Sequence, residues 1–239
     1  MSNPTPANNE SIPRQSAQRG PLVWVLASGP VDDPLRAIQG LAPPDIVIAA
    51  DGGSSLAARL CLVPNLIVGD LDSSEPAIIA DFEAQGVEVR RYDHHTKSET
   101  DTELAMFAAL EWEPSEIVLL GALGGRLDHT LANILLLTNP RLVGTKVRIV
   151  DGPEEIVLAQ QQIWTEVHGT AGDTVSLLPI GKTATGVKLQ GLEYSLDGEP
   201  LVQGFARGVS NRLTQPTGRM WVESGLLLVV LTRSTISER

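Results

Sequence analysis

From Leu22 to about residue 150, short β-branched and apolar runs alternate with helix-compatible stretches, a pattern that few folds satisfy. The apolar runs are VWVLASG, DIVIAADGG, LIVGDLDS, VEVRRYD, EIVLLGALGG and VRIVDG. The intervening sequence predicts helices near 33–40 and 75–85, and over SSLAARLCL, TDTELAMFAALEW and RLDHTLANILLL. Strands that are apolar almost throughout are typical of a parallel sheet covered on both faces. We therefore expect an α/β fold with a mostly parallel sheet flanked by helices.

After about residue 150 the pattern changes. Helix-length periodicity disappears, and short strand-like runs separated by Gly, Pro and Asp follow, such as DTVSLLPI, GVKLQGLEYSL and GLLLVVLT. Such spacing is typical of an all-β sandwich or barrel. We predict an α/β domain over residues 21–150 and a β-sandwich domain over residues 151–239. Residues 1–20, which are rich in Ser, Asn, Pro and Gln, are predicted to form a disordered tail.

The composition narrows the range of partners and compartments. The 239 residues carry 18 Lys and Arg against 29 Asp and Glu, a net charge of -11. A nucleic-acid surface needs clustered cations, so a small cationic ligand or a metal-bound anion fits better. No apolar run approaches the roughly 20 residues that span a bilayer, so no membrane partner is expected. The single cysteine, Cys61, excludes an intramolecular disulfide and indicates a reducing cytoplasm.

The stretch PNLIVGDLDS places Asp70 and Asp72 where a predicted strand ends. If the backbone stays extended, both side chains project to the same side, with Cα atoms roughly 6.5 Å apart, and one divalent ion can bridge them. The carboxyl ends of strands are also where α/β sheets bind ligands. The alternative is that Asp70 and Ser73 only form a turn and cap the next helix.

Two double-glycine turns follow other predicted strands. Gly52 and Gly53 come after Asp51, and Gly124 and Gly125 precede Arg126; both pairs precede a helical segment. Glycines at such a turn let backbone N–H groups approach a phosphate, although a tight strand-to-helix turn explains them equally well.

Two helix starts carry further polar residues. Thr100 and Glu103 form a capping box, while Asp101 either offsets the helix dipole or reaches a metal. Lys97, just before this helix, could meet a phosphate. In the later helix one face holds Arg126, His129 or Thr130, and Asn133, and the other holds Leu127, Leu131, Ile134 and Leu135. Arg126 is preferred as a phosphate ligand because guanidinium binds phosphate bidentately, whereas His129 fits a surface residue or a ligand contact.

Four motifs in this order resemble the thiamine pyrophosphokinase family. They are ADGG at 50–53, PNLIVGDLDS at 64–73, KSETDTELA at 97–105 and GGRLDH at 124–129. A looser match is VSNRL at 209–213, which looks like the family's Ser-Asn segment. The resemblance implies an α/β catalytic domain, a C-terminal β-sandwich, a homodimer, and magnesium-dependent transfer of diphosphate from ATP to thiamine.

The resemblance also implies roles for individual residues. It implies that magnesium is held by Asp70, Asp72 and Asp101, which with Arg126 form the catalytic set. It implies that ATP phosphates are bordered by Asp51, Gly52, Gly53, Lys97, Gly124, Gly125, Arg126 and His129. It implies that thiamine is bound by Asp72, Thr100, Ser210 and Asn211. Either Asp101 or Asp72 could accept the proton of the thiamine hydroxyl.

Three other functions remain open at this point. One is a diphosphokinase that acts on another alcohol, such as a hydroxymethylpterin. Another is a phosphohydrolase with Asp70 as nucleophile, although the chain lacks a matching downstream acidic pair and lysine. The third is a non-catalytic nucleotide-binding regulator, which would not need so complete a set of aspartates.

Overall fold

The computed structural model of the chain describes residues 20–234. Nearly all of the predicted tail lies outside these residues, as do residues 235–239. The helices are α1 Pro34–Ala37, α2 Gly53–Arg59, α3 Pro76–Ala84, α4 Asp101–Ala109 and α5 Leu127–Leu136, with 3-10 turns at Leu110–Trp112 and Pro140–Leu142. Between residues 20 and 234, no helix has both the length and the apolar character needed to cross a membrane.

The strands fall into a first and a second group along the chain. The first group is β1 Leu22–Leu26, β2 Ile46–Ala50, β3 Leu66–Gly69, β4 Glu88–Arg91, β5 Glu116–Leu120 and β6 Lys146–Asp151. The second group is β7 Glu154–Ala159, β8 Thr165–His168, β9 Thr174–Gln190, β10 Asp197–Leu201, β11 Asn211–Arg212, β12 Thr217–Trp221 and β13 Ser224–Thr232.

The first group forms a parallel sheet in the order β4-β3-β2-β1-β5-β6. Its side chains alternate between two buried layers, as a parallel strand covered on both faces requires. In β1, Val23 and Val25 pack with α4 on one face, whereas Trp24 and Leu26 pack with α2 on the other. The predicted α/β fold with its N-terminal parallel sheet is confirmed.

The second group continues the same sheet through antiparallel pairs. Strand β7 pairs with β6, β13 pairs with β7, and β9 pairs with β13. The sheet is therefore unbroken across residue 150, and the two predicted domains stay a prediction. The chain forms one long β9 where the sequence indicated two strands, because Gly181 and Gly186 adopt positive φ values of 75° and 59° and bend it without ending it.

A cluster of ion pairs joins β5, β6 and β7 near the amino end of β5. Arg148 contacts Glu116 and lies 3.3 Å from Glu155, and the Lys146 Nζ atom lies 2.9 Å from the Glu116 carboxylate. Burial acts to raise the pKa of Glu116. The hydrogen bond from Lys146 and the charge of Arg148 outweigh it, so the pKa lies below its usual range.

A depressed folded-state pKa makes stability depend on pH in a fixed direction. The stabilisation from Glu116 is complete above the unfolded pKa of about 4.3 and is lost as the pH falls through the lower folded value. We expect Glu116→Gln to lower the unfolding midpoint by ~2–4 °C at pH 7, which corresponds to about 1 kcal/mol, and by much less near pH 3. Thermal unfolding at both pH values tests this. A difference equal at both would contradict it, and Glu88→Gln, at a more exposed pair, is the control.

Candidate active site

Three carboxylates converge at the carboxyl end of the parallel sheet. Asp51 follows β2, Asp70 follows β3 and Asp101 begins α4. One carboxylate oxygen from each lies within 4.8 Å of the others. Strands β2 and β3 are parallel neighbours, so their carboxyl ends meet, and α4 packs against both and brings Asp101 beside them. Oxygen ligands of this kind are those that Mg²⁺ takes in proteins.

Gly69 makes this convergence possible. Its φ of 150° lies in the region that favours glycine. A Cβ atom at this position would lie 3.0 Å from both Asp101 Oδ1 and Asp51 Cβ. Gly69 was not among the predicted site residues, although its place directly before Asp70 was the available signal. A side chain here would force the carboxylates apart.

Asp72 does not belong to the group of three. Strand β3 ends at Gly69, and Leu71 has a φ of 64°, so the expectation of an extended backbone through Asp72 is wrong. The Asp72 backbone N–H instead donates to Asp70 Oδ1 at 3.3 Å, and the exposed Asp72 carboxylate accepts from Ser73 Oγ at 3.0 Å. Asp51 occupies the place in the cluster that we expected for Asp72. A metal-binding role for Asp72 stays a prediction.

Two serines orient Asp51, which is only 4% exposed. Ser74 Oγ donates to Asp51 Oδ1 at 2.7 Å, and the Ser73 backbone N–H donates to Asp51 Oδ2 at 3.2 Å. Burial raises the pKa of Asp51, and these hydrogen bonds offset that effect only in part. Ser73 and Ser74 therefore hold the buried carboxylate in place, a role toward Asp51 that was predicted for neither serine.

Lys97 supplies a positive charge to the cluster. Its Nζ atom lies 2.6 Å from Asp70 Oδ2 and also contacts Asp101 Oδ1, and its side chain is only 12% exposed. The hydrogen bond from Lys97 lowers the pKa of Asp70. Burial acts to lower the pKa of Lys97, but its two carboxylate partners outweigh burial and raise it. The carboxylates thus already accept a cation, so the donor set fits a metal ion.

The double-glycine turns have steric explanations of their own. A Cβ on Gly53 would lie 1.9 Å from the Leu26 carbonyl oxygen, so glycine is required for α2 to approach β1. Gly124 and Gly125 have φ values of 76° and 65°, and both face Pro30. Gly52 lies beside the carbonyl oxygen of Ser73, next to the loop that holds Asp51. Phosphate contacts of these glycines stay predictions.

On helix α5, a residue of the polar face is buried, whereas three leucines of the apolar face are exposed. Asn133 on the polar face is buried, and its Nδ2 donates to the Ala122 carbonyl at 2.8 Å, so it anchors the helix. On the apolar face Leu127, Leu131 and Leu135 are exposed at 70%, 50% and 49%.

Among the described residues, Arg126 and His129 at the start of α5 form no ion pair with the three carboxylates. The exposed Arg126 pairs with Asp128, with Nη2 2.6 Å from Oδ2. His129 is also exposed. Neither belongs to the carboxylate cluster in this structure, and their phosphate contacts stay predictions.

The residues expected to bind thiamine fall in two places. Thr100 caps α4, because its Oγ1 accepts from the Glu103 N–H at 3.1 Å. Asn211 is buried and clamps Tyr194: its Nδ2 donates to the Tyr194 carbonyl at 2.8 Å, and its Oδ1 accepts from the Tyr194 N–H at 2.9 Å. Exposed Ser210 lies beside it with a φ of 61°.

The strand that begins at Asn211 lies far along the sheet from the carboxylates. Between β3 and β11 the order is β3-β2-β1-β5-β6-β7-β13-β9-β11. These eight steps amount to roughly 38 Å along the sheet at about 4.8 Å per step. Seven strands of the same chain therefore stand between the strand that precedes Asp70 and the strand that begins at Asn211.

The fold and the site define an α/β protein that gathers three carboxylates and a lysine at the carboxyl end of a parallel sheet and carries a β-rich second part. Two domain models of one protein family match this chain. "Thiamin pyrophosphokinase, catalytic domain" matches residues 40–150, and "Thiamin pyrophosphokinase, vitamin B1 binding domain" matches residues 160–227. The chain belongs to the thiamine pyrophosphokinase family.

Individual relatives agree with this assignment. Thiamine pyrophosphokinase 1 of Oryza sativa subsp. japonica is 26% identical over 240 residues, covering 95% of this chain and 86% of the relative. Thiamine pyrophosphokinase of Bacillus subtilis (strain 168) is 28% identical over 192 residues, covering 79% of this chain and 86% of the relative. The crystal structure of thiamin pyrophosphokinase from Geobacillus thermodenitrificans has a TM-score of 0.76 at 25% identity and covers 90% of this chain and 99% of that one.

Proposed function

We propose that this protein is a thiamine diphosphokinase, which transfers diphosphate from ATP to thiamine with the help of magnesium and so makes thiamine diphosphate. Membership of the family supports the activity. The observation that carries the proposal is the convergence of Asp51, Asp70 and Asp101 within 4.8 Å. Phosphoryl-type transfer depends on positioning and charge neutralisation more than on covalent help, which fits a site built from carboxylates and cations.

Asp51, Asp70 and Asp101 would hold the magnesium ion, with Asp72 as a further candidate. When bound, the ion would neutralise charge on the phosphate oxygens. The chain's own residues would bind the phosphates. Lys97 lies next to the cluster and would contact the phosphates, and the two double-glycine turns would border them. Arg126 would reach the same phosphates once it leaves Asp128.

The reaction forms one bond and breaks one. The thiamine hydroxyl oxygen attacks the β-phosphorus of ATP, the bond from that phosphorus to the bridging oxygen of the α-phosphate breaks, and AMP leaves. The hydroxyl proton passes to a carboxylate. We assign this role to Asp72, because it is exposed and lies outside the group of three, whereas Asp101 belongs to that group and would hold the metal.

We also propose that the enzyme acts as a homodimer. Ser210 and Asn211 lie roughly 38 Å along the sheet from the carboxylates at about 4.8 Å per strand. If they bind thiamine, they must do so at the carboxylates of a second copy. The composition supports a cytoplasmic enzyme, since one cysteine provides no disulfide.

ATP labelled at the β- and γ-phosphorus tests the reaction. We expect both labels on thiamine and AMP in equal amount, with both products lost together when EDTA removes the metal. A γ-label alone on thiamine, or AMP formation indifferent to thiamine, would contradict the proposal. Replacing thiamine with a hydroxymethylpterin should give no AMP, and a binding-only regulator would release no product at all.

A further inference from the structure

Lys97 occupies the space between two of the three carboxylates. Its Nζ atom is 2.6 Å from Asp70 Oδ2 and contacts Asp101 Oδ1. Both aspartates belong to the cluster whose oxygens lie within 4.8 Å of one another. An ammonium group has three donors and no acceptor, so it cannot be a metal ligand. The lysine and a metal ion therefore compete for the same oxygens.

The hydrogen bonds that hold the backbone around Lys97 are separate from the ion pairs of its side chain. The Asp93 carbonyl accepts from the N–H groups of Thr96 at 3.0 Å and Lys97 at 3.1 Å, and the Asp93 side chain accepts from His95 N at 2.9 Å. Beyond this turn the lysine extends through a flexible four-carbon stem. The ammonium can therefore leave the carboxylates without unfolding of the turn.

The charges also favour an exchange of partners. Three carboxylates and one ammonium leave the cluster with a net charge of -2, if all four are ionised. Carboxylates that hold a divalent ion would no longer attract the ammonium, and the charge of the ion would repel it. The polyphosphate that accompanies the metal then offers the ammonium new oxygens close by. Metal and nucleotide would each make the binding of the other easier, and such coupling is reciprocal.

We propose that Lys97 is a positioning residue that exchanges partners: it holds Asp70 and Asp101 in the metal-free enzyme and moves to the phosphates when metal and nucleotide bind. The proposal rests on the proposed function, since it takes the three aspartates as the metal site. It assigns to Lys97 a role in coupling metal binding to nucleotide binding. A lysine that only contacts phosphate would have no such role.

Mn²⁺ binding followed by electron paramagnetic resonance tests the exchange. Titrations without nucleotide and with α,β-methylene-ATP, whose bridge cannot be cleaved, give the Mn²⁺ Kd in both states. We expect Lys97→Met to tighten Mn²⁺ binding without nucleotide by about tenfold, because its competitor is gone. We expect the gain in Mn²⁺ affinity caused by the nucleotide to shrink by a similar factor. A purely structural lysine would give weaker binding in both states.

Further variants keep the test decisive. Lys97→Gln must change Mn²⁺ affinity in the same direction as Lys97→Met, whereas Lys97→Arg keeps a cation and should keep weak binding. Lys182→Met, at an exposed lysine of β9, is the matched control and should match wild type. Unchanged or weaker Mn²⁺ binding by both neutral variants would overturn the exchange. A wild-type enzyme that binds no Mn²⁺ with or without nucleotide would instead overturn the metal site of the proposed function.

Discussion

Replacing Asp70 with asparagine is expected to lower kcat by about 10³-fold, because it removes one negative charge from a site that works by charge neutralisation. The asparagine side chain would keep the shape of the aspartate but would lose the ion pair with Lys97. Steady-state assays of AMP formation at a fixed magnesium concentration measure the effect. Asp81→Asn, at an exposed position of α3, is the control and should retain full activity.

Asp72→Asn separates the two roles considered for the second aspartate of the GDLDS loop. If Asp72 is the proton acceptor, Asp72→Asn should lower kcat by about 10²-fold or more, while the Mn²⁺ affinity stays close to that of wild type. Asp70→Asn should lower both kcat and the affinity for Mn²⁺. Near-normal turnover of Asp70→Asn at ordinary magnesium concentrations would show that the cluster of three is not the metal site.

Mixing two inactive variants is expected to restore activity, if each site uses the carboxylates of one chain and the Ser-Asn segment of the other. Asp70→Asn removes the first half and Ser210→Leu blocks the second, at an exposed position. Random exchange makes half of the dimers mixed, and each mixed dimer carries one intact site of two, so activity should return to about one quarter of wild type.

Each variant incubated alone should stay inactive, which provides the control for subunit exchange. Light scattering shows whether dimers form, and a pair of distinguishable tags shows whether they are mixed. Mixed dimers without recovered activity would contradict the shared site, as would a wild-type chain that is active as a monomer. Removing residues after 150 is a poorer test, because Ile156 and Leu228 belong to the core that α4 covers.

The closeness of Asp51 and Asp70 could be expected from the sequence, because in its motifs each aspartate stands directly after a strand. Asp51 and Asp70 each follow a buried run, and parallel neighbours bring such ends together. What could not be read was the direction of a side chain after the strand ends. The positive φ of Leu71 directs Asp72 away from the three carboxylates, and a leucine at position 71 does not indicate a positive φ.

Features that depend on contacts between residues distant in sequence could not be predicted either. The two faces of α5 were evident, but which face the sheet covers depends on neighbours distant in sequence, and Asn133 is buried where the leucines are not. The single strand β9 looked like two because its glycines resemble turn residues. At Gly181 the strand bends without ending, because β13 pairs with Ile180 before the glycine and with Thr185 after it.

The continuity of the sheet from β6 into β7 limits how the enzyme can move. A hinge between its two halves would have to break the hydrogen bonds of Arg148, Ile149 and Val150 with β7, which join the first group of strands to the second. The separation between the carboxylates and the Ser-Asn segment of one chain is therefore fixed by the sheet. Any closing motion around the substrates must come from short segments outside the sheet, such as residues 92–100, or, in the proposed dimer, from a shift of one whole chain against the other.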